Sequence, residues 1–79
     1  MRQSQNIVGP CVKALRQKQG LTQAMLAARL GALGWNIYEN TITKIETGVR
    51  CVTDSEIVLL AEALRVKLRD YFPNKPRLF

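Results

Sequence analysis

The apolar residues of this chain recur at the spacing of α-helices. From Val8 onward they follow the i, i+3, i+4, i+7 pattern, which places them on one face of a helix. Pro10 suits the first turn of such a helix, and Gly20 suits its end. The pattern therefore predicts a first helix over about Gly9 to Gln19, preceded by a loose N-terminal arm at residues 1–6.

A second helix and an aperiodic turn are predicted next. Thr22 can cap a helix that runs from Gln23 to Leu30. The helical periodicity then breaks at residues 31–38, where two glycines indicate a turn. Trp35 and Ile37 are too apolar to remain exposed to water without a partner. We therefore predict that they pack beneath the turn, in preference to stacking on the base of a nucleotide.

The segment from Glu39 to Gly48 predicts a third helix with two unlike faces. At about 100° per residue, Ile42 and Ile45 define an inward arc. Glu46 falls at the border of that arc, which indicates a partner inside the fold. The opposite face carries hydrogen-bonding side chains on a rigid helix, where they can meet a partner molecule. This polar face consists of Asn40, Thr43, Lys44 and Thr47.

The last helices follow a capping signal. Thr53 and Glu56 form a capping box that starts a fourth helix, which is predicted to run to about Leu64. Leu59 projects away from the core face of that helix, so it is either an ordinary surface residue or part of a subunit contact. A short fifth helix is predicted over Val66 to Phe72.

Length and composition fit one small helical domain. A chain of 79 residues forms a single domain, with its core here over about residues 8–72 and a C-terminal tail behind it. Hydrophobic residues make up 47% of the chain and strand-type alternation is absent, so the fold class is all-α. No apolar run approaches the roughly 18 residues of a membrane span, and the N-terminus lacks a signal peptide's apolar stretch. A cytoplasmic protein without a membrane segment is expected.

The residue types argue against catalytic and metal chemistry. The chain contains no histidine, which removes Ser–His and Cys–His nucleophiles and the commonest general base. Cys11 and Cys51 lack the close spacing of a metal site and are predicted to be buried thiols in preference to a disulfide. We therefore expect no enzyme, no metal and no cofactor.

The charge balance allows two interpretations. Twelve Lys and Arg residues against six Asp and Glu residues give a net charge of +6 and a pI near 9.9. A polyanionic partner would explain this excess, and so would a solvated basic surface that serves solubility. Composition alone leaves both open.

Five short segments occur along the chain in a fixed order. They are Gly20-Leu-Thr-Gln23, Leu26-Ala27, Leu30-Gly31, Thr41-Ile-Thr-Lys-Ile-Glu-Thr-Gly48 and Leu60-Ala-x-Ala-Leu64. Together they resemble the Cro and phage-repressor-like helix-turn-helix family, often called Xre-type. The resemblance implies a compact five-helix, lambda-repressor-like bundle whose second and third helices form the helix-turn-helix. It also implies a transcriptional regulator, expected to be a repressor, that binds double-stranded DNA as a homodimer.

The resemblance assigns roles to particular residues. Gln23 holds the position of a glutamine that contacts phosphate and often a base edge, while Arg16 and Glu46 hold those of a buried ion pair. With the third helix, residues 39–47, in the major groove, Asn40 is expected to contact adenine and Lys44 guanine. The expected DNA-binding residues are Gln23, Tyr38, Asn40, Thr41, Thr43, Lys44, Thr47 and Arg50. The expected dimer contacts are Leu59, Tyr71 and Phe72.

Phosphate contacts are assigned by charge and position. Arg50 follows the third helix directly and is the foremost candidate, ahead of Lys13, Lys18 and Arg29. Glu39 leaves two roles open, because it could accept from cytosine N4 or could stabilise the N-terminus of the third helix electrostatically. The electrostatic role is preferred.

The chain departs from the family pattern at three places. Nine residues, Ala32 to Asn40, separate the Leu-Gly of the second helix from the Thr-Ile of the third, where the family usually has about four. Met25 stands where a glutamate commonly completes the cap of the second helix, and Arg65 where a glycine commonly ends the fourth. The longer turn is expected to change the angle of the third helix, whereas the other two departures affect stability.

One rival function uses the same bundle differently. An antitoxin or adaptor would bind a protein partner through exposed apolar groups such as Leu59, Leu78 and Phe79. Single-stranded RNA binding is disfavoured because the chain lacks interleaved aromatic residues.

Overall fold

The structure, a computed structural model, describes residues 2–67, with side chains from Val8 onward. These residues form four helices and no strand, which confirms the all-α fold for this part of the chain. The helices are α1 (Arg2–Lys18), α2 (Gln23–Ala32), α3 (Glu39–Glu46) and α4 (Asp54–Ala63). Of the predicted fifth helix only Val66 and Lys67 are described, and they are not helical. The rest of that segment, with Tyr71 and Phe72, lies outside the described residues.

Helix α1 is longer than its sequence pattern predicted. It begins at Arg2 instead of Gly9, so residues 2–6, expected as a loose arm, are helical. Pro10 lies inside the helix, where its missing N–H removes one backbone hydrogen bond. Its ring is exposed. The prediction failed because Pro10 was interpreted as a first-turn residue, whereas it lies in the helix interior between the buried residues Val8 and Val12.

Helix α2 begins at Gln23 as predicted but ends at Ala32, two residues beyond the predicted Leu30, so the turn covers only residues 33–38. The predicted end was wrong because Gly31 was interpreted as a turn residue, whereas a single glycine is tolerated inside a helix. Thr22 Oγ1 accepts a hydrogen bond from the backbone N–H of Met25 at 3.1 Å, which confirms the predicted cap. Gly34 adopts a positive φ of 98° in the turn, a conformation that favours glycine. Trp35 and Ile37 are partly buried against the core, which confirms that they pack beneath the turn.

The core lies between the helices and fixes α3 from two sides. Helix α1 packs against α3, and α2 packs against both α3 and α4. Gly9 lies so close to α3 that a Cβ there would collide with the carbonyl oxygen of Ile45 and lie 2.9 Å from that of Glu46. The largest fully buried side chains are Val8, Val12, Leu26, Leu30, Ile42, Ile45, Leu60 and Leu64.

Both ends of α4 are closed by side-chain hydrogen bonds. The capping box is confirmed: Thr53 Oγ1 accepts from the Glu56 N–H at 3.2 Å, and Glu56 Oε1 accepts from the Thr53 N–H at 3.0 Å. At the other end, Gln19 Nε2 donates to the Leu64 carbonyl at 2.6 Å. Arg29 Nη1 donates to the carbonyl of Ala63 at 3.0 Å, so this predicted phosphate candidate is bonded within the fold.

Two expectations about exposure are wrong. Leu59 was expected to project away from the core but is partly buried and packs against it. The prediction assumed that only one side of α4 is covered, whereas Leu59 on the other side also packs against the core. Cys51 is exposed, so the prediction of two buried thiols fails for it. Cys11 is partly buried, neither cysteine forms a disulfide, and burial raises the pKa of the Cys11 thiol.

Candidate nucleic-acid interface

Helices α2 and α3, with the six residues 33–38 between them, form a helix-turn-helix. Ile42 and Ile45 are buried, so the side of α3 that contains them is anchored in the core. Thr41 is partly buried. Tyr38 is the N-cap residue of α3, and its side chain is 80% exposed and makes no capping hydrogen bond. The exposed predicted contacts on α3 and its C-cap are Asn40, Thr43, Lys44 and Thr47.

An ion pair expected from the resemblance joins α1 to α3. Arg16 Nε donates to Glu46 Oε2 at 2.7 Å, and Arg16 Nη2 donates to Glu46 Oε1 at 3.2 Å. Arg16 Nη1 donates to the carbonyl of Leu21 at 2.8 Å, which also ties down the loop before α2. The two side chains are only 11% and 3% exposed. Removing either residue would leave the other charge buried without its partner, which is strongly destabilising.

Gln23 links the start of α2 to α3. Its Nε2 donates to Glu46 Oε1 at 3.2 Å, and its Oε1 accepts from the Thr43 hydroxyl at 3.0 Å. The amide therefore has a fixed orientation, which sequence reasoning did not foresee. A glutamine amide has two N–H groups and two lone pairs, so one of each remains to meet a phosphate or a base edge.

A known family matches this part of the chain. The model of the Helix-turn-helix family matches residues 12–71, a range that contains the ion pair, α2, the turn and α3. The chain belongs to the Xre-type helix-turn-helix family. Membership indicates a DNA-binding transcriptional regulator. A comparison with curated proteins gives no match.

In this Xre-type protein, the Arg50 side chain is hydrogen-bonded within the fold. Its Nη1 and Nη2 donate to the two carboxylate oxygens of Glu56, each at 3.1 Å, and Nη1 also donates to the Cys51 carbonyl at 3.0 Å. The guanidinium carbon lies 5.7 Å from the centroid of the Trp35 ring. These hydrogen bonds lower the pKa of Glu56 and raise that of Arg50. Sequence reasoning assigned Arg50 to phosphate and named neither Glu56 nor Trp35 as its partner.

The outward face of α3 is nearly neutral. Lys44 is its one cation, and Glu39 in the first turn is its one carboxylate outside the buried pair. Two further cations, Lys13 and Lys18, are exposed on α1. Because the outward face of α3 is nearly neutral, recognition of a ligand by α3 relies mainly on hydrogen bonds from uncharged side chains.

Within residues 2–67, no helix is both long enough and apolar enough to cross a membrane.

Proposed function

We propose that this chain binds specific double-stranded DNA sequences as a transcriptional repressor, with α3 in the major groove. One observation carries the proposal: α3 presents Asn40, Thr43 and Lys44 to solvent while its opposite side is fixed in the core. A rigid helix with exposed amide, hydroxyl and ammonium groups fits the donor and acceptor pattern of base edges in the major groove.

The side chains of Asn40, Lys44 and the C-cap residue Thr47 each have a DNA contact that suits their chemistry, whereas the Thr43 hydroxyl already donates to Gln23 Oε1. Asn40 bonds adenine through two hydrogen bonds, and Lys44 donates to guanine O6 and N7. The Thr47 hydroxyl donates to the Thr43 carbonyl at 2.8 Å, so the Thr47 methyl group is the part left for a thymine methyl. Tyr38 and Gln23 contact phosphates beside α3, and the partly buried Thr41 makes at most a peripheral contact.

Tight binding requires two copies of the chain. A single module of this size buries too little surface on DNA for high specific affinity, so a homodimer is proposed that reads half-sites about 34 Å apart. Leu59 is partly buried against the core, so only its exposed part is available for the proposed dimer contact. Tyr71 and Phe72, the other two proposed contacts, lie outside the described residues.

Selection of bound sites from a random pool of double-stranded DNA tests the proposal directly. We expect an enriched sequence with two-fold symmetry and half-sites one helical turn apart. The logarithm of the binding constant should fall linearly with the logarithm of the salt concentration. Each contacted phosphate should add about 0.9 to the magnitude of this slope. Absence of binding at about 50 mM salt, where nonspecific attraction is strong, would instead favour the antitoxin or adaptor function.

Lys44→Ala tests the reading role of α3 on the selected site. This change should relax the preference at one base pair by about 1–3 kcal/mol, measured by competition among single-position variants of the site. Lys13→Ala is the matched control, because it removes the same charge from an exposed position on α1. The control should weaken all sequences equally or have no effect. If both variants change the same base preference, the assignment of Lys44 is wrong.

A further inference from the structure

We infer that Arg50 is a positioning residue that fixes the placement of α3 by joining the extended turn before it and the loop after it to the start of α4. This inference rests on the proposed DNA binding for its effect on affinity, whereas the joining itself is a property of the protein alone. It replaces the phosphate contact that the sequence predicted for Arg50.

Arg50 is bonded to the start of α4. Both carboxylate oxygens of Glu56 accept from the guanidinium at 3.1 Å, a bidentate arrangement that fixes direction as well as distance. Glu56 is itself held, because Oε1 also accepts from the Thr53 N–H at 3.0 Å in the capping box. The loop that leaves α3 is thereby fastened to the first turn of α4.

Arg50 also contacts the turn that precedes α3. Trp35 lies within residues 33–38, and the guanidinium is 5.7 Å from its ring centroid, within range of a cation–π interaction. The ring is also partly buried against the core. Arg50, which lies in the loop after α3, therefore joins that loop to the turn before α3. A long turn has more conformations to lose than a short one, so an added contact there restricts α3 more.

A phosphate role fits this geometry poorly. Glu56 neutralises the charge of Arg50, and the guanidinium already makes three hydrogen bonds to Glu56 and to the Cys51 carbonyl. A phosphate would have to compete with a carboxylate that is bound through both oxygens. Because the pair has no net charge, its contribution to counterion release on DNA binding should be small.

The Glu56→Gln variant gives opposite results for the two roles. Glu56→Gln removes the charged partner of the Arg50 guanidinium. If Arg50 positions α3, affinity for the selected DNA site should then fall about 5- to 150-fold, the loss expected from one misplaced base contact. If Arg50 binds phosphate, the same variant releases it and affinity should rise. Glutamine keeps an oxygen acceptor for the Thr53 N–H, so the capping box is retained as far as possible.

Arg50→Lys and Arg50→Ala complete the DNA experiment. Lysine binds phosphate well but lacks the planar fork, so a positioning role predicts that Arg50→Lys loses nearly as much affinity as Arg50→Ala. The slope of log affinity against log salt should change by less than the roughly 0.9 of one lost phosphate contact. Recovery of affinity by Arg50→Lys, or tighter binding by Glu56→Gln, would overturn the inference.

Fluorescence of Trp35 tests the joining without DNA. The chain has one tryptophan, so its emission reports the surroundings of this ring alone. Arg50→Ala and Arg50→Lys should both shift the emission while circular dichroism shows an intact helical fold, and Lys44→Ala should leave it unchanged. Unchanged emission in both Arg50 variants would overturn the inference even if DNA binding is confirmed. If neither the wild type nor any variant binds DNA, the emission of Trp35 still shows whether Arg50 holds the turn.

Discussion

Arg65 adopts a backbone conformation that is unfavourable for a residue with a Cβ atom. It ends α4 with a φ of +58°, the left-handed region that costs a residue with a Cβ about 1–2 kcal/mol. Its N–H still donates to the Glu62 carbonyl at 3.1 Å, so the helix end is closed despite this cost. The Xre-type pattern has a glycine here, and the structure supplies the reason.

Arg65→Gly should therefore stabilise the protein. The gain from relieving the left-handed conformation is partly offset by the larger chain entropy of glycine in the unfolded state, leaving about 0.5–1 kcal/mol. Urea unfolding of wild type and variant measures this difference. Arg65→Ala is the matched control, since it removes the same charge and side chain but keeps the Cβ. Equal stabilisation by both variants would show that charge, not backbone conformation, limits stability at this position.

Single-residue roles were predictable where they followed a periodic pattern. Glu46 lies at the border of the arc set by Ile42 and Ile45, so its inward direction could be read from the sequence. Arg50 offered no such signal, because its two partners belong to separate segments. Glu56 was already accounted for by the capping box, and Trp35 lies in an aperiodic turn whose path only the folded chain defines.

At the scale of elements, the close approach of α1 and α3 depends on Gly9. A methyl group there would collide with the Ile45 carbonyl, which is backbone and cannot turn aside. Gly9→Ala should push the helices apart and lower the free energy of unfolding by about 1–3 kcal/mol, the usual cost of overpacking. The Arg16–Glu46 pair spans the same interface, so its geometry should suffer as well.

Gly31→Ala is the control for this change. Gly31 is also helical, but an added Cβ would meet only the Asn36 Oδ1 atom, at 3.4 Å. Because alanine favours helix over glycine by up to about 1 kcal/mol, this control should be neutral or stabilising. Chemical denaturation of both variants gives the comparison. A Gly9→Ala protein as stable as wild type would mean that α1 and α3 can separate without cost.

Helix positions were predicted best where a capping residue marks an end. Thr22 and Thr53 marked the starts of α2 and α4, and both caps are present. Helix α1 lacks such a marker, so its start was misplaced at the one proline near it. The role of Gly9 was missed for a related reason: glycine was interpreted locally, whereas its small size matters for a contact with a distant helix.

At the scale of the whole molecule, the excess of positive charge and the face of α3 are separate features. The net charge is +6, yet the exposed side of α3 carries one lysine and one glutamate. Basic residues elsewhere, including Lys13 and Lys18 on α1, can attract DNA over long range without reading its sequence. Steering by the whole chain and recognition by one helix are therefore expected to respond differently to salt.

Acid should lower the stability of the whole molecule partly through Glu56. The hydrogen bonds from Arg50 hold the pKa of Glu56 below its usual range. When the solution pH is near that usual range, the unfolded state therefore binds more protons than the folded state. The stabilisation is complete above the unfolded pKa of about 4.3 and is lost as pH falls through the lower folded pKa. Thermal unfolding from pH 7 to pH 3 should show the resulting decrease.

Glu56→Gln isolates this contribution, because glutamine keeps the length of the side chain and an acceptor for the Thr53 N–H but cannot titrate. Wild type should be more stable than this variant at pH 7, and the difference should shrink steadily below about pH 4.3. A difference that stays constant down to pH 3 would show that the carboxylate charge of Glu56 does not stabilise the fold. Loss of the Arg50–Glu56 bond in acid should also shift Trp35 emission at a pH where the helices remain intact, since the guanidinium would then be released from its position beside the ring.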